Sequence, residues 1–77
     1  MTPTEASNKL KNEMKDIKTI KECRDYGKDF LFVAFETNTP DIELDPFYLV
    51  NKNTGDIRRY TIAENPGRFY SAQKIDF

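Results

Sequence analysis

Histidine and tryptophan are absent from this chain, and cysteine occurs once. Without histidine, Ser7 and Ser71 have no ordinary general base and Cys23 has no partner to activate it, so the common nucleophilic and acid–base chemistries lack a starting point. The carboxylates stand in polar sequence, with nothing apolar beside them to raise a pKa. A lone cysteine forms no internal disulfide and, in a chain without histidine, cannot complete a zinc site. Cys23 therefore reads as a half-buried strand residue in a protein of a reducing compartment. The expectation is no catalytic residue, no metal and no cofactor.

Long apolar runs are missing as well. No stretch approaches the ~18 apolar residues that a membrane-spanning helix needs, and the polar sequence from Thr2 onward lacks the apolar core of a signal peptide. A cytoplasmic location is the reading that follows. Charge of either sign is not in excess: 12 Lys and Arg stand against 13 Asp and Glu, for a net charge of −1, and no run of like charge exceeds two residues. That balance argues against a polyphosphate-binding tail or an acidic mimic of nucleic acid.

What the 77 residues do contain is aromatic surface. Only 38% of the chain is hydrophobic, yet it holds four tyrosines and six phenylalanines, each able to bury roughly 150–250 Å². One small domain with an aromatic core and marginal stability is the expectation over 1–77.

The opening TPTEASNKLKNEMKDI begins with Thr2 as a helix N-cap, Pro3 at the first helical position and Glu5 placed to complete a capping box. Ala6, Leu10, Met14 and Ile17 then repeat at helical spacing, which predicts one amphipathic helix ending near Lys15 to Lys18. A polar strand follows from Thr19 to about Arg24, and Gly27 turns the chain into FLFVAF. That run, Phe30 to Phe35, is apolar on both alternating faces, as an interior strand must be. TNTPDIELDP, 37 to 46, reads as a loop. Its Asp41, Glu43 and Asp45 alternate along an extended chain, but they fall far short of the six to eight oxygens calcium requires and are read as a solvated loop.

YLVNKNTGDIRRY, 48 to 60, reads as a hairpin. Taking Asn53, Thr54 and Gly55 as a three-residue loop with Gly55 in the left-handed region pairs Lys52 with Asp56, Val50 with Arg58, Leu49 with Arg59 and Tyr48 with Tyr60. Tyr48, Val50, Arg58 and Tyr60 then share one face. Asn65 as N-cap and Pro66 at the first helical position predict a short terminal helix carrying Phe69, Ala72 and Gln73. The fold class is α+β: an N-terminal amphipathic helix, a three- to four-stranded antiparallel sheet with a C-terminal hairpin and a short C-terminal helix, the two helices on one face.

Two stretches resemble known families. The leading helix followed by VNKNTGDI is similar to the helix-plus-hairpin unit of PepSY-type domains. FLFVAF, then DPFYLVNKNTGDIRRYTI and a terminal NPGRFY, resembles small uncharacterised proteins of phages and prophages of low-GC Gram-positive bacteria that carry a DPFFxVxKxTGxV core. The second resemblance covers most of the chain and implies a phage or prophage context and a non-enzymatic module. It supplies no catalytic residue. Arg58 and Arg59 depart from the small or polar residues usual there, which leaves room for a charged role.

The functional expectation is a small protein–protein interaction module that binds a host factor or itself through one sheet face. Phe30, Phe32, Tyr48, Val50 and Tyr60 would be its anchors and Arg58 its rim, if both helices cover one face and leave the other bare. Should the C-terminal segment instead wrap to the opposite face, those aromatics are core. A second reading is a single-strand nucleic-acid binder using Tyr48, Arg58, Arg59 and Tyr60, with bases stacked on rings beside guanidinium groups. A virion assembly or accessory role is a third.

Overall fold

The computed structural model describes residues 1–15, 17, 19–35 and 47–77. The first helix, α1, spans Pro3–Glu13 and starts as its capping box dictates: the Thr2 hydroxyl accepts from the Glu5 N–H at 3.1 Å, and the Glu5 carboxylate accepts from the Thr2 N–H at 2.8 Å. The Thr2 backbone N–H, and secondarily the Thr2 hydroxyl, hold the Glu5 carboxyl below its ordinary range. The helix is capped by Met14, earlier than the apolar spacing implies. Ile17 is nevertheless buried, because a turn closed by its N–H on the Met14 carbonyl carries it onto the same apolar surface as Ala6 and Leu10.

Five strands follow: β1 (Thr19–Tyr26), β2 (Asp29–Phe35), β3 (Phe47–Asn51), β4 (Ile57–Tyr60) and β5 (Lys74–Ile75). They form one antiparallel sheet in the order β4-β3-β2-β1-β5. A short 3₁₀ turn at Ile62–Glu64 and a second helix, α2 (Pro66–Ser71), lie between β4 and β5. Asn65 caps α2 through its carboxamide, with Pro66 opening the helix. The fold is α+β as the sequence implies. The fifth strand is the addition: a two-residue return of the chain to β1.

β2 is the centre of the sheet and explains its own composition. Phe30, Phe32 and Ala34 point to one side and pack with α1; Leu31 points to the other and packs with Phe69 of α2. The helices therefore cover opposite faces, not the same one. Ile62, Phe69 and Ala72 together supply enough apolar surface to roof the second face, so that face is core rather than a bare patch.

β1 reaches this arrangement through a bulge. Ile20 pairs with Ala34 and Glu22 with Val33, leaving Lys21 as an extra residue. Ile20 and Cys23 are three apart in sequence, which would put them on opposite faces of a regular strand. The bulge brings both to the α1 side.

The β3–β4 hairpin is one residue longer in its loop than the sequence implies. Phe47 pairs with Tyr60, Tyr48 with Arg59, Leu49 with Arg58 and Val50 with Ile57. The cause is Asn51, whose carboxamide oxygen accepts from the Asn53 and Thr54 N–H groups at 2.8 and 2.9 Å and draws Lys52 into the loop. Lys52 instead donates its N–H to Lys28 and its ammonium to Asp25. Gly55 does hold the left-handed conformation, at φ 77°, and its N–H bonds the Asn51 carbonyl.

A methyl group on Gly55 would meet the Lys9 side chain at 2.8 Å as well as straining the backbone. The lysine tip can swing away, whereas the backbone cannot relax. Gly55→Ala should cost about 1–2 kcal/mol, read as a lower urea midpoint at unchanged slope, and Gly55→Asn should cost less because asparagine tolerates this region.

Candidate partner-binding surface

The shifted hairpin register moves the β4 residues expected to bind, Arg58, Arg59 and Tyr60, to the opposite faces. A one-residue slip moves each side chain of a strand to the other face. Tyr48 and Val50 share a side with Phe30 and Phe32 as expected, but α1 covers that side and all four are at most 5% exposed. They are core beneath α1 and offer a partner nothing to touch. Arg58 and Tyr60 belong to the opposite side, where Tyr60 packs half-buried and Arg58 keeps 61% of its side chain exposed. Of the anchors and rim expected from sequence, only these two remain at a surface.

The set expected to bind nucleic acid is divided in the same way. Arg59 lies over the buried Tyr48 ring at 5.2 Å, on the face away from Arg58 and Tyr60. No stacking platform combines Tyr48, Arg58, Arg59 and Tyr60, because the sheet separates them. The carboxylates of 41–45 lie outside the described residues, as does the loop over 37–46 and the start of the DPF motif.

On the α2 side the residues that matter carry little mark in the sequence. Glu22, Arg24 and Tyr26 alternate along β1 and point at α2. The Arg24 guanidinium lies 4.2 Å from the Phe69 ring centroid, donates to the Phe69 and Ala72 carbonyls at 2.8 and 3.2 Å, and pairs with Glu22. A cation at the C-terminal carbonyls of a helix satisfies acceptors that have no intrahelical partner. Arg24 thus fastens α2 to the sheet. Its signal in the sequence is a charged residue two places after Glu22 in a polar strand, the pattern of an ordinary solvated strand.

Arg68 makes a second, more exposed version of this contact. Its guanidinium sits 4.4 Å from the Tyr26 ring centroid and donates to the Tyr26 carbonyl at 3.3 Å. Tyr26 meets Tyr60 edge-on at 5.5 Å, Phe47 meets Phe69 edge-on at 5.4 Å, and Phe69 meets Tyr70 edge-on at 5.3 Å. Tyr70 is 71% exposed. The outer surface here therefore carries a bare tyrosine, half-buried Phe47, Tyr60 and Ile62, and the exposed arginines Arg58 and Arg68.

Burial, and secondarily the neighbouring Tyr60, push the Tyr26 hydroxyl up to about 12. Asp25 is held below its ordinary range by the Lys52 ammonium and the Gly27 N–H. An open cleft of about 440 Å³ along β1 and β5 has Cys23 in its lining, but burial raises that thiol to about 11. At neutral pH it is protonated and a poor nucleophile.

The raised thiol has a consequence for stability. Its native value of about 11 lies above the ordinary 9.0, so the native state holds its proton longer than the unfolded chain and the contribution is complete below pH 9. It should be lost as pH rises from about 9 to 11. The urea midpoint is expected to fall across that window, and Cys23→Ala should flatten the fall.

Comparison with protein-family models, with curated proteins and with solved structures gives no match to this chain. The surface has to be read from its own chemistry. Among the described residues no helix is long and apolar enough to cross a membrane.

Proposed function

We propose that this chain is a small non-enzymatic module that binds another protein through the α2 side of its sheet, with Tyr70 as anchor, Phe47 and Tyr60 as supporting contacts and Arg58 and Arg68 as rim. The observation that carries the reading is the exposure of Tyr70. A large aromatic held edge-on against the buried Phe69 ring, on a helix pinned by Arg24, presents apolar area at little conformational cost. Tyrosine and arginine are the residue types most enriched where binding energy concentrates.

The chemistry of the surface defines its partner. Two exposed guanidinium groups flank an aromatic centre, so the complementary surface is an apolar socket bordered by carboxylates. A phage or prophage protein acting on a host factor in the cytoplasm fits this description, supported by the hairpin motif.

The test is crosslinking of the purified, tagged protein in a bacterial lysate treated with nuclease, comparing wild type with Tyr70→Ala and Arg68→Glu. Both substitutions should abolish the crosslinked species; Tyr70→Ala should shift thermal unfolding by no more than about 4 °C, since surface changes of this kind stay within about 0.5 kcal/mol, and Arg68→Glu, which also gives up its contact with Tyr26, should shift it further while the circular dichroism spectrum stays that of the folded protein. A crosslinked partner retained by both variants, or one lost to nuclease in the wild type, would overturn the assignment.

A further inference from the structure

We infer that Tyr26 is a further binding residue of this surface, its hydroxyl donating to an acidic side chain of the partner protein that enters beside Tyr60 and Arg68; this rests on the protein-binding reading and names the group it recognises. Tyr26 is 2% exposed, and its hydroxyl is buried with no hydrogen-bond partner among the described residues. A buried donor left unpaired destabilises a fold, and native structures keep few of them. Exceptions of this kind concentrate at functional sites. Asp29 stands directly opposite Tyr26 in the sheet but does not serve the hydroxyl. One of its carboxylate oxygens turns to Arg58 at 3.2 Å, and the other is itself buried without a partner.

Charge selects the occupant. Arg68 lies over the Tyr26 ring, 4.4 Å from its centroid, and its hydrogen bond goes to the neutral Tyr26 carbonyl. No ion pair among the described residues involves Arg68, so its charge is open to a partner. Arg68 and Arg24 both favour negative charge at the Tyr26 oxygen, but burial outweighs them and keeps the hydroxyl protonated at neutral pH. The group is therefore a donor waiting for an anion and not an anion itself. A carboxylate accepts from an O–H and a guanidinium together, in charge-assisted bonds about twice as strong as neutral ones. Arg24 is spent on Glu22 and the end of α2, which leaves Arg68 to supply the cation. Tyr60 is the side chain that yields: it meets Tyr26 edge-on at 5.5 Å and is half-buried on the outermost strand. The entering carboxylate turns that ring aside, while Tyr70 keeps its place as anchor.

Tyr26→Phe isolates the hydroxyl, because the ring keeps its contacts with Tyr60 and Arg68. The free variant should unfold about 4–8 °C above wild type, the effect of removing one unpaired buried donor, and yet crosslink less of the partner in the nuclease-treated lysate. Sodium acetate is the direct probe, followed by NMR of protein labelled at tyrosine Cζ and arginine Nε, with sodium chloride at equal ionic strength and acetamide as controls. Acetate alone should move the Tyr26 Cζ and Arg68 Nε signals saturably. Tyr26→Phe should weaken acetate binding at Arg68 about tenfold, the scale of one hydrogen bond to a charged group, and Arg68→Gln should weaken it comparably at Tyr26. A Tyr26→Phe variant no more stable than wild type would show that the hydroxyl is already bonded within the fold. An equal response to chloride or acetamide would remove the carboxylate, and no response, or acetate binding unchanged in Tyr26→Phe, would remove the residue; each of these overturns the inference. If one occurs while Tyr70→Ala still abolishes crosslinking, the protein-binding reading stands without this contact. Acetate held by Tyr26 in a protein that crosslinks to nothing would keep the carboxylate site and overturn the protein partner.

Discussion

Tyr48→Ser should unfold the domain, whereas Tyr60→Ser should leave it folded. The two tyrosines look alike in sequence, each in a strand of the same hairpin beside apolar or charged neighbours. Their environments differ: Tyr48 is 1% exposed in the α1-side core with Phe30, Phe32 and Val50, and Tyr60 is half-buried at the sheet's outer strand. Truncating a fully buried aromatic costs about 3–5 kcal/mol. A single core in a chain of this size rarely supplies more than about 3–5 kcal/mol in total, so the loss consumes essentially all of it. Tyr60→Ser forfeits partial burial and one edge-on ring contact, about 1–2 kcal/mol. Amide signal dispersion and the far-ultraviolet circular dichroism spectrum report the outcome directly. A folded Tyr48→Ser monomer would mean that the hairpin register and the burial of this ring are wrong.

Arg24→Ala should be the most damaging change of a charged residue, at about 3 kcal/mol. It removes a side chain that is only 12% exposed, takes a donor from the Ala72 carbonyl and a second donor from the Phe69 carbonyl, and takes the cation from the Phe69 ring. Breaking a buried pair typically costs about 3–5 kcal/mol because the remaining charge is stranded. Here the lower end applies, since Lys74 lies 3.6 Å from the other oxygen of Glu22 and partly compensates it. Arg24→Lys keeps the charge but not the planar fork, and should recover less than half of the loss. Native-state hydrogen exchange distinguishes this fastening role from a general one. In the Arg24→Ala variant, amides of α2 and the Asp25 N–H, which bonds the Gln73 carbonyl at 2.9 Å, should exchange faster relative to those of β2 and β3. Uniform acceleration across the chain would show that Arg24 supports the whole core and not α2 in particular.

The parts of the fold that were legible are those settled by a few neighbouring residues. Thr2, Pro3 and Glu5 announce α1, Asn65 and Pro66 announce α2, Gly55 marks the left-handed position of its turn, and the double-sided apolarity of 30–35 marks the central strand. The hairpin register was not legible because it hangs on Asn51, whose carboxamide chose a loop one residue longer; nothing in the local pattern distinguishes that from the shorter one. The face covered by α2 was missed for a different reason. Ile62, Phe69 and Ala72 follow no single period, since a 3₁₀ turn and an irregular bend separate them, and only the tertiary path brings them together under one roof. Four of the six expected partner-binding residues, Phe30, Phe32, Tyr48 and Val50, lie instead beneath α1, and Arg24, Tyr70 and Arg68 emerged in their place. A charged residue in a polar strand carries no mark of being buried.

The return of the chain to β1 also orders events in time. β1–β2, β2–β3 and β3–β4 join strands adjacent in sequence, but β5 pairs Ile75 with Cys23 and Lys74 with Arg24, so this seam closes only after nearly the whole chain has been drawn together. Contacts between sequence-distant segments pay their loop entropy before they return any energy. The meander can therefore condense first, with 62–77 docking onto a largely formed sheet. Interactions absent from the folding transition state govern how fast a protein comes apart. Weakening the α2 and β5 seam should thus leave the folding rate nearly unchanged and shorten the lifetime of the native state.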